Sequence, residues 1–375
     1  MKIFHILLGK ANPNTMNGVN KVVDAFATEQ TLLGCDVTVC GVANNLEVRH
    51  EHNYGYQLFV ACKNPFKYPK GLLDFLLKNS DENSIFHFHS VFILWYLPLM
   101  KALKNKGRYH IFLTPHGAYI PSAMNSIKKK IGFWLFDSKI IKNVEAVHVI
   151  GYQTENNDYV KKHAKRIVVI PNGFGIQNIP EFEGVKNDNL VFGYLGRLAM
   201  RHKGLDELIH AFAEYKRQGG KGILNLAGGD PDEDFLKRLT KEEKMLDYIR
   251  FEGVVYDESK WGFLHSISAL ISPSRWDVLP TACLEAAAAG RPLVVTADTN
   301  LGIYVEKYGA GIVIPHTDKD AIVQQMFDFE NVFYDEDAYQ TMCEAAKRMV
   351  REELNWKSIT KQIVEKLYGR EISRI

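Results

Sequence analysis

Short apolar runs recur along the chain, separated by stretches whose apolar residues fall at helical spacing. In the first half the runs are MKIFHILLG, CDVTVCGV, YQLFVAC, SIFHFHS, YHIFLTPHG and AVHVIG; in the second they are VVIPNG, NLVFGYLGR, GILNLAGGD, IRFEGVV, ISALISPS, RPLVVTAD and GAGIVIP. Runs of Val, Ile and Phe without polar alternation suit strands covered on both faces, so each half predicts a mostly parallel sheet wrapped by helices. Helical spacing is clearest at Val22, Val23, Phe26 and Ala27, and at Leu205, Leu208, Ile209, Phe212 and Ala213. It returns at Trp356, Ile359, Ile363, Val364 and Leu367, which predicts a terminal helix. The result is two doubly wound α/β domains. Residues 174–189 are polar, contain Gly and Pro and show neither period, which places the boundary there.

Composition supports this reading. A chain of 375 residues that is 46% apolar and 24% charged exceeds the size at which one core usually divides. No apolar run approaches the roughly 18 residues that read as a membrane helix. The opening MKIFHILLGKANPNT has a strand-length run followed by a loop, not a small-residue cleavage site. The expectation is a cytoplasmic protein without a membrane span. The five cysteines, Cys35, Cys40, Cys62, Cys283 and Cys343, form no C-x-x-C pair and read as reduced packing residues.

Charge separates the halves. Residues 1–180 hold 21 basic against 12 acidic side chains, and residues 181–375 hold 25 against 32. With a net charge of only +2, nucleic acid is a poor partner, whereas the basic half suits an anionic membrane or a phosphorylated acceptor.

Four stretches carry candidate chemistry. In GYLGRLAMRHKGLDELIHAF, Arg197 and Lys203 share the connection between a buried strand and a helix, on the carboxyl edge where open α/β sheets bind ligands. Two fixed cations there suit a diphosphate, Arg as a planar fork and Lys as a point charge; solvated surface cations are the alternative. Gly18 precedes an amphipathic helix whose amide start can face an anion, although Asn17-Gly18 also reads as a simple turn. In SRWDVLPTACLEAAAAGRP, Asp277 and Glu285 stand eight positions apart around a helix started by Pro280, able to accept from sugar or ribose hydroxyls or to act as ordinary helix-start acids. TPHGAY places His116 after a strand, where it could contact a sugar or be structural; His87 and His89 share a strand face with no carboxylate at ligand spacing and read as packing residues. Residues 126–142, SIKKKIGFWLFDSKIIK, interleave Lys128, Lys129, Lys130, Lys139 and Lys142 with Phe133, Trp134 and Phe136. That pattern fits either a membrane-facing helix or a core helix with a solvated lysine face.

Taken in order, NGV, TPHGAY, VIPNG, GYLGRLAMRHKGLDELIHAF, LAGGD, FEGVV and SRWDVLPTACLEAAAAGRPLVV resemble the glycosyl transferases group 1 family across nearly the whole chain. The resemblance implies a GT-B fold: two Rossmann-like domains facing across a cleft, over 1–175 and 176–355, with 356–375 a helix crossing back to the first. It implies a retaining, metal-independent transfer from a nucleotide-sugar donor to a glycan or lipid-linked acceptor, as in surface polysaccharide synthesis, with no cofactor; the membrane-facing reading of residues 126–142 would add peripheral contact at the inner face of the cell membrane. His116, Arg197, Lys203, Asp277 and Glu285 then take catalytic roles. Gly18, Asn172, Gly196, Val254, Leu279, Pro280 and Thr281 bind the donor. Two positions depart from the family pattern: Asp277 stands where a glutamate is usual, and Asn17 precedes Gly18 where glycines pair. A catalytically silent sugar-nucleotide or glycan binder on the same scaffold stays open, as does, more remotely, a sugar-nucleotide epimerase. A nicotinamide enzyme would need a G-x-G-x-x-G after the first strand, which is absent.

Overall fold

The computed structural model describes residues 1–12, 18–44, 52–119, 124, 126–151, 158–176, 179–180, 189–277 and 279–371. Asn17 and much of the polar 174–189 segment lie outside the described residues. The chain forms two compact units: Met1–Gly173 with Trp356–Ile375, and Phe174–Asn355.

In the first unit β1 (Lys2–Leu8), β2 (Asp36–Ala43), β3 (Gly55–Val60), β4 (Ile85–His89), β5 (Ile111–Thr114), β6 (Ala146–Val149) and β7 (Ile167–Val169) form one parallel sheet, ordered β3-β2-β1-β4-β5-β6-β7. The VVIPNG run, grouped above with the second-half alternation, supplies β7 and closes the first sheet, because its partner is β6. In the second unit β8 (Val191–Leu195), β9 (Ile223–Ala227), β10 (Ile249–Gly253), β11 (Ala269–Ser272), β12 (Leu293–Thr296) and β13 (Gly311–Ile314) form a second parallel sheet, ordered β10-β9-β8-β11-β12-β13. Each is doubly wound. Strand order reverses between β1 and β4, and again between β8 and β11, and these reversals are where open sheets present ligand crevices.

Both sheets are covered on both faces, as the uninterrupted apolar runs require. Along β1, Phe4 and Ile6 enter one core with Phe86, Phe88 and Leu113, while Ile3 and Leu7 enter another with Ile85 and Phe112. On that second face the terminal helix Trp356–Gln362 and the π-helical turn Ile363–Leu367 pack Ile359, Ile363, Val364 and Leu367 against Val23, Phe26 and Ala27. Each aliphatic side chain so buried contributes about 1.5–3 kcal/mol.

The 126–142 segment is a helix Ile127–Gly132, a π-helical turn Phe133–Asp137 and a helix Ser138–Asn143. Phe133 is fully buried and anchors it, whereas Ile127, Ile131, Trp134 and Leu135 are exposed beside Lys128, Lys129 and Lys130. Among the described residues, no helix is long and apolar enough to cross a membrane.

Candidate active site

The connection after β8 is shaped by two close backbone approaches. Gly196 N–H donates to Ala227 O at 3.0 Å and Leu198 N–H to Gly229 O at 3.1 Å, tying the loop after β8 to the loop after β9. A Cβ on Gly228 would sit 1.8 Å from Gly196 O, so no side chain fits there. Tyr194 OH donates to Arg197 O at 2.8 Å, and Asp232 Oδ2 accepts from Met200 N–H at 2.8 Å. Asp232 thus holds the start of the short helix Met200–Lys203.

That helix ends at Gly204, whose φ of 65° is left-handed and whose added Cβ would lie 2.3 Å from Pro273 O. Glycine is needed on both counts. The close approach brings Lys203 to the loop after β11, the neighbour of β8 across the strand reversal. Arg275 N–H donates to His202 O at 3.1 Å, and the Arg275 guanidinium grips Asp206 with two bonds of 2.8 and 2.9 Å. The His202 and Trp276 rings lie 4.9 Å apart. So laced, the two loops place Lys203 Nζ in an ion pair with Asp277 Oδ2, both side chains 16% exposed.

Glu285 projects from the helix Thr281–Ala288, which Pro280 precedes, and accepts from Lys260 Nζ at 2.7 Å. Lys260 lies on the helix Asp257–Ser266, and no sequence motif singled it out. Each acid thus faces a lysine. Both acids and Lys203 also act on one buried group, Cys283: burial chiefly pushes its thiol up to about 12, Asp277 and Glu285 add to the rise, and Lys203 opposes it. Arg197 is exposed, and its guanidinium has no hydrogen-bond or ion-pair partner among the described residues. Leu279 is half-buried, Pro280 buried and Thr281 exposed at the start of the helix carrying Glu285. Val254 is exposed and would meet a Cβ on Gly229 at 2.9 Å, so it stands beside the loop after β9.

The remaining candidates stand on the first unit. Gly18 opens the helix Gly18–Leu32, and among the described residues nothing lies within 4 Å of where its Cβ would be. Asn172 keeps a buried Oδ1 without a hydrogen-bond partner among the described residues. His116 follows β5 with φ 53°, and Ser90 (72°) and Phe92 (58°) after β4 are also left-handed, a concentration of strained backbone at one sheet edge.

His87 and His89 are buried but are more than packing. With His5 they are the one group of metal-ligand spacing among the described residues, their ligand atoms within 4.8 Å of one another. All six ring nitrogens already have partners: His5 with His89 and Gln30, His87 with Tyr368 and Thr114, His89 with His5 and His116. Three imidazoles can hold a transition metal, but here a cation would have to displace hydrogen bonds that already engage every ring nitrogen.

Residues 175–349 match the family Glycosyl transferases group 1, and residues 16–177 match Glycosyltransferase Family 4. The second unit thus carries the sequence pattern of the group 1 glycosyl transferases. It is 27% identical over 166 residues to a glycogen synthase of Mycobacterium tuberculosis, covering 44% of this chain and 39% of that enzyme, so it spans about two-fifths of that relative's length. Its fold is shared with a sucrose-phosphate synthase from Thermosynechococcus elongatus, with TM-score 0.67 and 18% identity over all of both chains. It is shared too with Anabaena HepE in complex with UDP and glucose, with TM-score 0.65, 15% identity, and 99% of this chain and 100% of that one covered. The architecture is GT-B.

Proposed function

We propose that the protein is a retaining glycosyltransferase that moves a sugar from a nucleotide-sugar donor to a glycan or lipid-linked acceptor, with no metal ion in the step. The observation that carries this reading is the Arg197 to Lys203 connection, braced by Asp232 and Gly204 and presenting a cation against Asp277. Breaking the bond between the anomeric carbon and the β-phosphate oxygen leaves negative charge on the diphosphate, and stabilising that charge is the main task. Arg197 and Lys203, aided by the helix starts at Gly18 and Thr281, supply fixed positive ends for it. Asp277 and Glu285 accept from sugar and ribose hydroxyls, and His116 contacts the sugar. The acceptor oxygen attacks from the face the diphosphate leaves, and the departing phosphate oxygen takes the acceptor proton, so configuration is retained. The presence of UDP and glucose in the HepE complex favours a UDP-sugar donor here.

The exposed Ile127, Ile131, Trp134 and Leu135 beside Lys128, Lys129 and Lys130 support peripheral contact with an anionic membrane that bears the acceptor. Surface polysaccharide or glycoconjugate synthesis is the role this fits.

A thermal-shift panel of UDP-, GDP- and ADP-sugars tests the reading, since a ligand at 100 times its Kd stabilises by about 2.7 kcal/mol. One donor class should bind and be consumed, with product NMR showing retention. Binding without turnover, or without loss of donor hydrolysis in Glu285→Ala, would point to the silent binder.

A further inference from the structure

The second face of the first sheet carries a line of imidazoles that the transfer chemistry leaves unused. Alternation along the strands puts His5 of β1, His87 and His89 of β4, Thr114 of β5 and His148 of β6 on this face, and His5 and His87 are register partners. Gln30 from the helix Gly18–Leu32 and Tyr368 from the end of the chain complete the set.

The direction of every hydrogen bond follows from one end. His148 Nε2 lies 2.8 Å from Ile170 O, a carbonyl that only accepts, so Nε2 holds the proton and Nδ1 the lone pair. Thr114 therefore donates to His148 Nδ1 at 2.9 Å and accepts from His87 Nε2–H at 2.6 Å. His87 Nδ1 then accepts from Tyr368 OH at 2.7 Å, which leaves the Tyr368 oxygen to accept from Gln30 Nε2 at 3.3 Å. That orients Gln30 Oε1 to accept from His5 Nε2–H at 2.7 Å. His5 Nδ1 accepts from His89 Nε2–H at 2.8 Å, and His89 Nδ1 accepts from His116 Nε2–H at 3.1 Å. Burial keeps the rings neutral: it lowers His5 and His148 to about 4, His116 to about 3, and His87 and His89 well below the ordinary value.

We propose that this chain of hydrogen bonds locks His116 as its Nε2–H tautomer, so that Nδ1 offers a lone pair to the transferred sugar, with Tyr368, Gln30, His5 and His89 as positioning residues. The substrate group opposite His116 is then a hydroxyl that donates. A carboxylate there would face a lone pair and find no proton, so with the sugar's C6 group in that place neutral sugars are selected over uronic acids. The proposal rests on His116 facing the sugar, as in the function proposed above.

Long-range proton–nitrogen NMR on the full chain labelled at histidine reads the tautomer without substrate. All five rings should carry their proton on Nε2; a proton on Nδ1 of His116, or exchange between the two, overturns the proposal. So does a stoichiometric transition metal in the purified protein, since a ligating nitrogen could not accept. Tyr368→Phe removes the link between His87 and Gln30 and lets the amide turn over. It should give mixed tautomers at His116 and a kcat about threefold to tenfold lower, the worth of a hydrogen bond, with UDP affinity unchanged. Adding Gln30→Glu, whose carboxylate can only accept from His5, should restore the single tautomer. A Tyr368→Phe protein with the parent's tautomer and rate overturns the proposal, and if that variant fails to fold the parent spectrum decides. UDP-glucose should be used in preference to UDP-glucuronate, and the reverse preference overturns the selection. Locked tautomers in a protein that consumes no sugar nucleotide would sink the enzymatic reading and leave the hydrogen-bond chain intact.

Discussion

Replacing Lys203 with alanine removes the cation assigned to the leaving diphosphate. Lys203 and Asp277 are each 16% exposed, so their surroundings are neither bulk water nor dry interior. At an effective dielectric of ~20, unit charges ~4 Å apart interact by about 4 kcal/mol. The ground-state diphosphate is already charged, so only charge that grows in the transition state affects kcat. Half of the interaction, about 2 kcal/mol, is roughly 30-fold in rate, and loss of one fixed donor in such a site reaches on the order of 10²-fold. Lys203→Ala should therefore lower turnover by between about 30-fold and 10²-fold, read as nucleoside diphosphate released from the donor the thermal-shift panel selects. Asp277→Asn is the informative companion. In the free protein the carboxylate competes with phosphate for Lys203, so the amide should tighten binding of UDP alone while sugar transfer falls. The two variants thus move UDP affinity in opposite directions. Lys203→Ala activity within about twofold of the parent, at an unchanged melting temperature, would refute the diphosphate assignment; so would Asp277→Asn weakening UDP as much as Lys203→Ala.

Two further outcomes follow from the first unit. His5 and His148 titrate near 4 when folded against 6.5 when unfolded, so their stabilising effect is complete above pH 6.5 and is lost as pH falls toward 4. At pH 5 each costs about 2 kcal/mol, from 1.36 kcal/mol per unit over one and a half units. Asp137, which burial raises to about 6, works in the opposite sense as pH falls, by less than the two histidines together, so the histidines win. Native-state hydrogen exchange should show β1, β4 and β5 losing protection between pH 7 and 5 while β8 and β11 hold; uniform loss would refute the assignment. On the surface, Trp134→Ser and the triple Lys128, Lys129 and Lys130 to Gln variant should each reduce cosedimentation with phosphatidylglycerol vesicles by about fivefold or more, each Lys near such a surface being worth about 1 kcal/mol. Unchanged binding in both would remove the membrane contact.

Much of the fold was legible because a parallel sheet buried on both faces needs uninterrupted apolar runs, and each predicted run supplies one strand. VVIPNG read as part of the second-half alternation, although the boundary at 174–189 leaves it in the first domain, because an edge run looks the same whichever sheet it joins. Arg197 and Lys203 could be singled out because strand, glycine turn and helix are contiguous there. Lys260 could not, since nothing local to DESKWGFLHS signals that its lysine meets a carboxylate 25 positions on. Nor could Asp232, whose partner, Met200 N–H, lies 32 positions earlier.

The amino-acid order by itself determined what is periodic and local: which segments become strands and helices, where glycine lets two backbones touch, and which charged types stand at the sheet edges. Pairing was decided by tertiary structure alone. Lys203 reaches Asp277 across 74 residues, and Tyr368 reaches His87 across 281. Such contacts form only after the strands have stacked in a particular order, because a side chain's partner depends on which strand lies beside its own, and strand order is a property of the whole sheet.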